Sequence, residues 1–476
     1  MTNSSQQSST LLPENRLENG TPALPAAMAA NCWMALNSFQ LFMKQWTRLG
    51  PYSAGQAMRI SGPPELARCR RAANLLVNHL RLGVPEFMGD RVYFRPTVPV
   101  EVHVSGDSLE TTAARQLNVP FAASDLPVRF FIISAVDPPE PTGPVSHWVL
   151  VMYDHWLFDS SAMREFMRLL AEFYLQPNAP PAPPSLHFST QEIHEQFPGM
   201  RRASLPLADI MRGLKCYIQH RRAWRVNLEN PVDFSVGLKI QTLPDGLITA
   251  LAVKAKSSGA SVNDLFLAAM AQCMEILLRQ KTLCARGGIF GPRNKLALGT
   301  IVDMRHLARV PLDNVLGLFL SYCTTMVNAR HTTHNEDLIR RISRQTRKFK
   351  STGQAIGVFR TLDVARFFWR FYDQPRHHAL FFQKNTPVIA GVSNVNLQNE
   401  WMCARPSPIA DSILDFVRIS PTGPLLPLVF TLTTTSAKDG TSRLGLCLTW
   451  RKTAISEAIA TEIAADFIHH LQDLAK

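Results

Sequence analysis

Residues 177–184 read PNAPPAPP, and no helix or sheet strand runs through such a stretch, because each proline removes a backbone donor and repeated prolines favour extended chain. The segment divides the chain into two parts, each of which must bury its own apolar residues. Length supports that division: 476 residues with 46% hydrophobic content exceed what one compact core accommodates and suffice for two lobes of ordinary size. Four regions follow as expectations. They are a disordered tail over 1–23, a first lobe over 24–185, a basic connector over 186–232 and a second lobe over 233–476.

Hydrophobic spacing predicts the elements within each part. In the first, helical patterns cover 29–46 and 64–82, and short strand-like runs cover 57–60, 91–94 and 128–134. The run 145–153 is apolar throughout, as in a buried strand, and 160–174 follows with Met163, Phe166, Met167 and Leu170 at helical spacing. Past the connector, 233–242 alternates like a strand. Pro244 and Asp245 precede one helical pattern, and Ser261 with Asp264 forms a variant capping box before LFLAAMAQCMEILLRQ. Further strands are expected at 296–302, 322–328, 387–395, 428–435 and 443–450, with a closing helix over 455–474. The fold class is α/β (α+β).

The formal net charge of +13 calls for an anionic partner without saying which kind. None of the eight cysteines falls in a C-x-x-C pair, so they are read as reduced cytosolic thiols. The opening MTNSSQQSSTLLPENRLENGT lacks the basic start and apolar middle of a signal peptide, and no stretch reaches the roughly 18 unbroken apolar residues of a membrane span. The expected location is cytoplasmic, with peripheral membrane contact as an addition.

The stretch HWVLVMYDHWLFDSSAMREF (147–166) carries the chemistry. His155 and Asp159 lie in the interruption between a buried strand and an amphipathic helix, where both ends of the loop are held and a side chain keeps the position that proton transfer requires. A histidine with its ordinary pKa of about 6.5 is mostly neutral near pH 7 and can take a proton from an attacking hydroxyl or amine. The bland alternative makes Asp159 the cap of the following helix and His155 a satisfied core residue. The bare H-x-x-x-D spacing is common by chance.

Here the chain resembles the superfamily of condensation domains, chloramphenicol acetyltransferase and bacterial wax ester synthases, whose motif H-H-x-x-x-D-G follows a strand and precedes a helix. GASVNDLFLAAMAQ (259–272) is similar to the G-x-T-V-N-D-x-x-L-A-A segment of wax ester synthase-like members. IVDMRHLARVPLDNVLGLF (301–319) is similar to their V-D-x-R followed by N-x-x-G, and SNV (393–395) to a serine-asparagine strand at the inter-lobe cleft. The resemblance implies two chloramphenicol-acetyltransferase-like lobes with mixed, mainly antiparallel sheets and a central cleft. It implies an HxxxD acyltransferase, of lipid or secondary metabolism, that transfers groups other than amino-acyl groups from acyl-CoA or an acyl carrier protein to an alcohol or amine, small molecule or lipid. His155 is then the general base and Asp159 the structural aspartate, with Arg305 as its partner. Ser393, and after it Asn394, would donate to the oxyanion. The thioester is substrate, so no cofactor is expected. Arg305 in a surface pair and Ser393 as an ordinary strand residue are the bland readings.

Two positions depart from the pattern. Asp154 stands where the motif has its first, supporting histidine, and Ser160 stands where it has glycine. In the family that glycine keeps the entrance to the histidine open, so a serine narrows the donor channel or bonds the substrate. The alternative function is a catalytically altered module that binds a carrier protein or lipid without turnover.

Metal is not expected. His147, Asp154, His155 and Asp159 cluster in sequence, but an extended strand of about 3.3 Å per residue puts His147 more than roughly 20 Å from His155. The run 358–382 interleaves Arg360, Arg366, Arg370 and Arg376 with Phe367, Phe368, Trp369, Phe371 and Tyr372. It reads as a core helix with flanking arginines, as a basic surface for the phosphates of coenzyme A or a phosphopantetheinyl carrier, or as a membrane-surface helix. RRISRQTRKFK (340–350) reads as a solvated face, and no nucleic-acid motif is present.

Overall fold

The computed structural model describes residues 33–96, 99–134, 145–177, 186–197, 207–280, 282–284, 292–329, 332, 335–351, 354–404 and 407–476; the expected tail over 1–23 and the proline run 178–184 lie outside them. Two sheets carry the mixed α/β architecture. The five-stranded sheet orders its strands Ile413–Ile419, Ser53–Ser61, Ser146–Asp154, Val128–Ile133 and Val102–Ser105, with only the last pairing parallel. The six-stranded sheet runs Val236–Thr242, Ser442–Arg451, Leu428–Ser436, Ala390–Asn396, Lys295–Asp303 and Leu320–Asn328. Within it Ala390–Asn396 lies parallel to both neighbours.

Strand Ser146–Asp154 is buried at every position, which is why its sequence is apolar without alternation. Val149, Val151 and Tyr153 point into the first lobe's core with Met163, Phe166, Met167 and Leu170 of helix Ser160–Leu175. Trp148, Leu150 and Met152 point the other way and meet Val236 and Leu238 of the second sheet, together with Cys447 and Ile419. The strand is therefore the backing of both the lobe and the seam between lobes. His147 at its start is bonded to the Gly62 carbonyl at 2.9 Å and to the Tyr174 hydroxyl at 2.9 Å, a structural role. The second lobe has its own core, where helices Val262–Arg279 and Glu457–Ala475 pack together and Phe430 meets Phe467 at 4.7 Å between centroids. Ser261 and Asp264 form the expected capping box of the first of these helices. Among the described residues no single helix is long and apolar enough to cross a membrane.

Several boundaries differ from expectation for local reasons. The helix expected over 29–46 begins at Ser38, because the Asn37 side chain accepts from Phe39 N and Gln40 N. Before it, Trp33–Ala35 is a strand paired with Arg91–Arg95. The run 358–382 is two helices, Gln354–Trp369 and Pro375–Asn385, since Pro375 can open a helix but not continue one. The region 186–232 holds short strands that pair His187–Phe188 with Val315–Leu316 and Arg225–Val226 with Leu283–Cys284. Strand Ile413–Ile419 belongs by sequence to the 233–476 region, yet it pairs with Ser53–Ser61 in the other sheet.

Candidate active site between the two sheets

The loop from Asp154 to Asp159 is fastened at each end. His155 N donates to the Tyr52 carbonyl at 3.1 Å, Leu157 N to the Asp154 carbonyl at 3.0 Å, and Asp159 N to the Gly317 carbonyl at 3.0 Å. Gln40 Nε2 donates to the Trp156 carbonyl at 2.9 Å. Asp154, in place of a histidine, accepts from Trp156 Nε1 at 2.7 Å. Burial raises its carboxyl to a pKa of about 6, against the nearby Lys44 charge.

Asp159 fills both roles considered for it. Its Oδ1 accepts from Ala162 N at 2.7 Å, which caps helix Ser160–Leu175, and from Arg305 Nη2 at 3.0 Å. Its Oδ2 accepts from the same Arg305 nitrogen at 3.0 Å and from Phe319 N at 2.9 Å. The carboxylate is fully buried and Arg305 nearly so; Arg305 also bonds the Val315 carbonyl at 3.0 Å. Through this one side chain the V-D-x-R and N-x-x-G segments hold the histidine loop.

His155 lines a cavity of about 370 Å3 between the sheets. Gln56 and Tyr153 enter from the first sheet and Tyr52 from just before strand Ser53–Ser61, Thr300, Ser393, Asn394 and Val429 from the second, and Arg418 from the crossing strand. The imidazole Nδ1 is buried with no partner at bonding distance, although the Phe158 backbone lies near enough to favour the charged form somewhat. The residue as a whole is partly exposed. Burial outweighs the Phe158 and Asp159 contributions and lowers the pKa of His155 to about 4, so the ring is neutral through the physiological range.

Ser393 and Asn394 line the same cavity, on the strand expected to carry them. Ser393 Oγ accepts from Arg418 Nη2 at 2.8 Å, which leaves its own proton free to donate. Asn394 has a buried Oδ1 without a partner, which suits a substrate donor better than an oxyanion. Ser160, in place of glycine, turns its hydroxyl into the cavity wall, where Oγ accepts from Arg418 Nε at 2.8 Å and Gln56 Nε2 at 3.1 Å. Arg418 and Gln56 are register partners across the crossing strand. Near them, Arg164 pairs with Glu400 at 3.1 Å. Sequence reasoning missed Arg418, Gln56, Arg164 and Glu400. Only Arg418 left a signal, as a charge within the strand-like alternation of ILDFVRI (413–419).

For a metal, the described residues bring together one group away from this cavity: ligand atoms of Cys273, Asp466 and His470 lie within 4.8 Å of one another. Burial raises the Cys273 thiol well above its ordinary pKa, and His470 pairs with Asp466 at 3.3 Å. The basic aromatic run divides its faces. Phe359, Leu362 and Trp369 are buried, whereas Phe367, Phe368 and Phe371 are exposed, with Arg370 stacked 4.3 Å from the Phe367 ring centre.

No family model matches the sequence, and no curated protein does. Solved structures share its fold. The trichothecene 15-O-acetyltransferase from Fusarium sporotrichioides aligns with a TM-score of 0.65 at 11% identity, over 96% of this chain and 99% of its own. The first condensation domain of the CDA synthetase gives 0.62 at 17% identity, over 94% and 97%. The X-domain from teicoplanin biosynthesis gives 0.59 at 17% identity, over 93% and 94%. The chain therefore has the fold of the condensation domains and chloramphenicol-acetyltransferase-like transferases, two lobes with a cleft between them.

Proposed function

We propose that the protein is an acyltransferase that moves an acyl group from a thioester, on coenzyme A or a carrier protein, to an alcohol or amine, with His155 as general base. The observation that carries the reading is a neutral imidazole on a fastened loop that lines the cavity between the lobes. His155 Nε2 takes the proton of the acceptor O–H or N–H as that atom attacks the thioester carbonyl. The tetrahedral oxyanion receives the Ser393 O–H, a donor strengthened by the guanidinium that Ser393 itself accepts from. The intermediate then collapses, the C–S bond breaks, and His155 returns the proton to the leaving sulfur. Asp159 acts by holding the loop.

Thiol release is the test. With a panel of acyl-CoA and acyl-carrier thioesters and of alcohols and amines, the reading expects release that requires both donor and acceptor and that disappears in His155→Ala. Release indifferent to the acceptor, or retained in His155→Ala, overturns it.

A second reading has its own support. The Ser160 hydroxyl stands in the cavity where the motif has glycine, and a fold of this kind, the teicoplanin X-domain, is described in a complex with OxyB. A module that binds a carrier protein or lipid without turnover predicts donor binding with no thiol release across the whole panel. We assign the exposed phenylalanines and Arg370 to peripheral contact with an anionic membrane surface, which would bring a lipid acceptor close to the chain.

A further inference from the structure

Arg418 is the one arginine of the cavity wall, among the described residues, without an acidic companion. Its residue is 4% exposed, and its three hydrogen bonds go to the Ser160 hydroxyl at 2.8 Å, the Leu432 carbonyl at 3.2 Å and the Ser393 hydroxyl at 2.8 Å. Arg305 has Asp159, Arg164 has Glu400, and buried Arg451 in the second lobe has Asp233 beside it. The carboxylates of the same lining are committed elsewhere: Glu400 to Arg164, and Asp303 to Arg305 N at 2.9 Å and the Ser161 hydroxyl at 3.5 Å. Among the described residues no carboxylate offsets the loss of water around Arg418, and its pKa falls to about 9, chiefly from burial and next from the Arg164 charge. An uncompensated buried cation is costly and persists where something outside the chain completes it.

The hydrogen bonds around it show what that something is. A guanidinium has five N–H donors, so two remain without a partner among the described residues. A serine oxygen has two acceptor sites, and around Ser160 Oγ stand Arg418 Nε at 2.8 Å, Gln56 Nε2 at 3.1 Å and, longer at 3.4 Å, Arg164 Nη1, so the hydroxyl accepts from the wall and keeps its own proton to donate. The place where the motif glycine is missing thus presents N–H and O–H donors around a fixed positive charge. The same lining carries an apolar group of side chains, Phe39, Met43, Leu320, Val388, Leu425 and Leu426. We infer that Arg418 and Ser160 form a subsite for a carboxylate on a substrate with an apolar body, one whose negative group completes the charge of Arg418. As a statement about substrate, this rests on the acyl-transfer reading of the cavity; as a statement about binding, it stands apart from turnover.

Octanoate and its neutral isostere octanamide test it by calorimetric titration of the full chain at pH 7.5. Octanoate is expected to bind at least about tenfold more tightly, a preference reduced severalfold in Ser160→Ala, abolished in Arg418→Met and partly kept in Arg418→Lys. His155→Ala, which stops turnover if the catalytic reading holds, leaves the preference unchanged, so the two readings fail separately. Octanamide binding as tightly as octanoate, or octanoate failing to bind the unmodified protein at millimolar concentration, overturns the subsite whether or not the variants fold. Octanoyl-CoA and its ω-carboxylate analogue, suberoyl-CoA, then separate the source. Tighter binding of the latter puts the carboxylate on the donor; equal binding of the two, with the octanoate preference intact, puts it on the acceptor.

Discussion

Asp159 receives two backbone amides and a guanidinium on one buried carboxylate, so its cap and its ion pair are separable by substitution. Asp159→Asn keeps a capping oxygen but removes the carboxylate charge that faces Arg305, leaving that largely buried guanidinium its bonds to the Leu312 and Val315 carbonyls and the field of Asp303. The expected cost is about 3–5 kcal/mol, read as a lower urea midpoint at constant slope; a loss below about 1 kcal/mol contradicts the assignment. His155 makes a prediction in pH. Its pKa is lowered to about 4 in the folded chain, against about 6.5 unfolded, so between those values the unfolded chain holds more protons. Its contribution to stability is complete above about pH 6.5 and is lost as pH falls toward 4. For the same reason kcat/KM for acyl transfer should show no His155 inflection near pH 6.5 and should decline only as pH approaches 4. An acid limb centred near 6.5 that vanishes with His155 would contradict the buried, neutral ring.

At the scale of elements, the histidine loop was legible because its signals are local: an unbroken apolar strand, a capping aspartate and a helix of regular period. Asp159 and Arg305 were legible as a pair only through the family resemblance, since 146 residues separate them and no periodicity links them. The crossing strand Ile413–Ile419 was missed because its seven residues carry Asp415 and Arg418 at positions where a strand in a core is apolar, and its partner Ser53–Ser61 lies in the other half of the chain. Without that strand the Arg418 to Ser160 contact could not be seen. The aromatic run was half legible, its period correct and its break at Pro375 overlooked. Its exposed face predicts that sedimentation with phosphatidylserine vesicles exceeds that with phosphatidylcholine and falls severalfold in Phe367→Ser/Phe371→Ser; equal sedimentation of the variant and the unmodified chain would remove the membrane assignment.

For the whole molecule, the crossing strand makes the two lobes interdependent. Residues 33–197 expressed alone would expose the Ser53–Ser61 edge that Ile413–Ile419 covers and the Leu150 and Met152 face that meets Val236 and Leu238. They are expected to aggregate instead of forming a soluble monomer, whereas the full chain is expected to unfold in one transition by circular dichroism and tryptophan fluorescence alike. A stable monomeric fragment would contradict this. The division expected at the proline run thus describes the order of the chain better than the order of the sheets. What the arrangement delivers is an imidazole held between two halves that neither half presents alone. The direct measurement is the rate of acyl transfer by His155→Gln beside the unmodified chain, with the same thioester and acceptor and with matching circular dichroism spectra. A fall in kcat/KM of roughly 10²- to 10⁴-fold is predicted; an unchanged rate would contradict the assignment of His155 as the base.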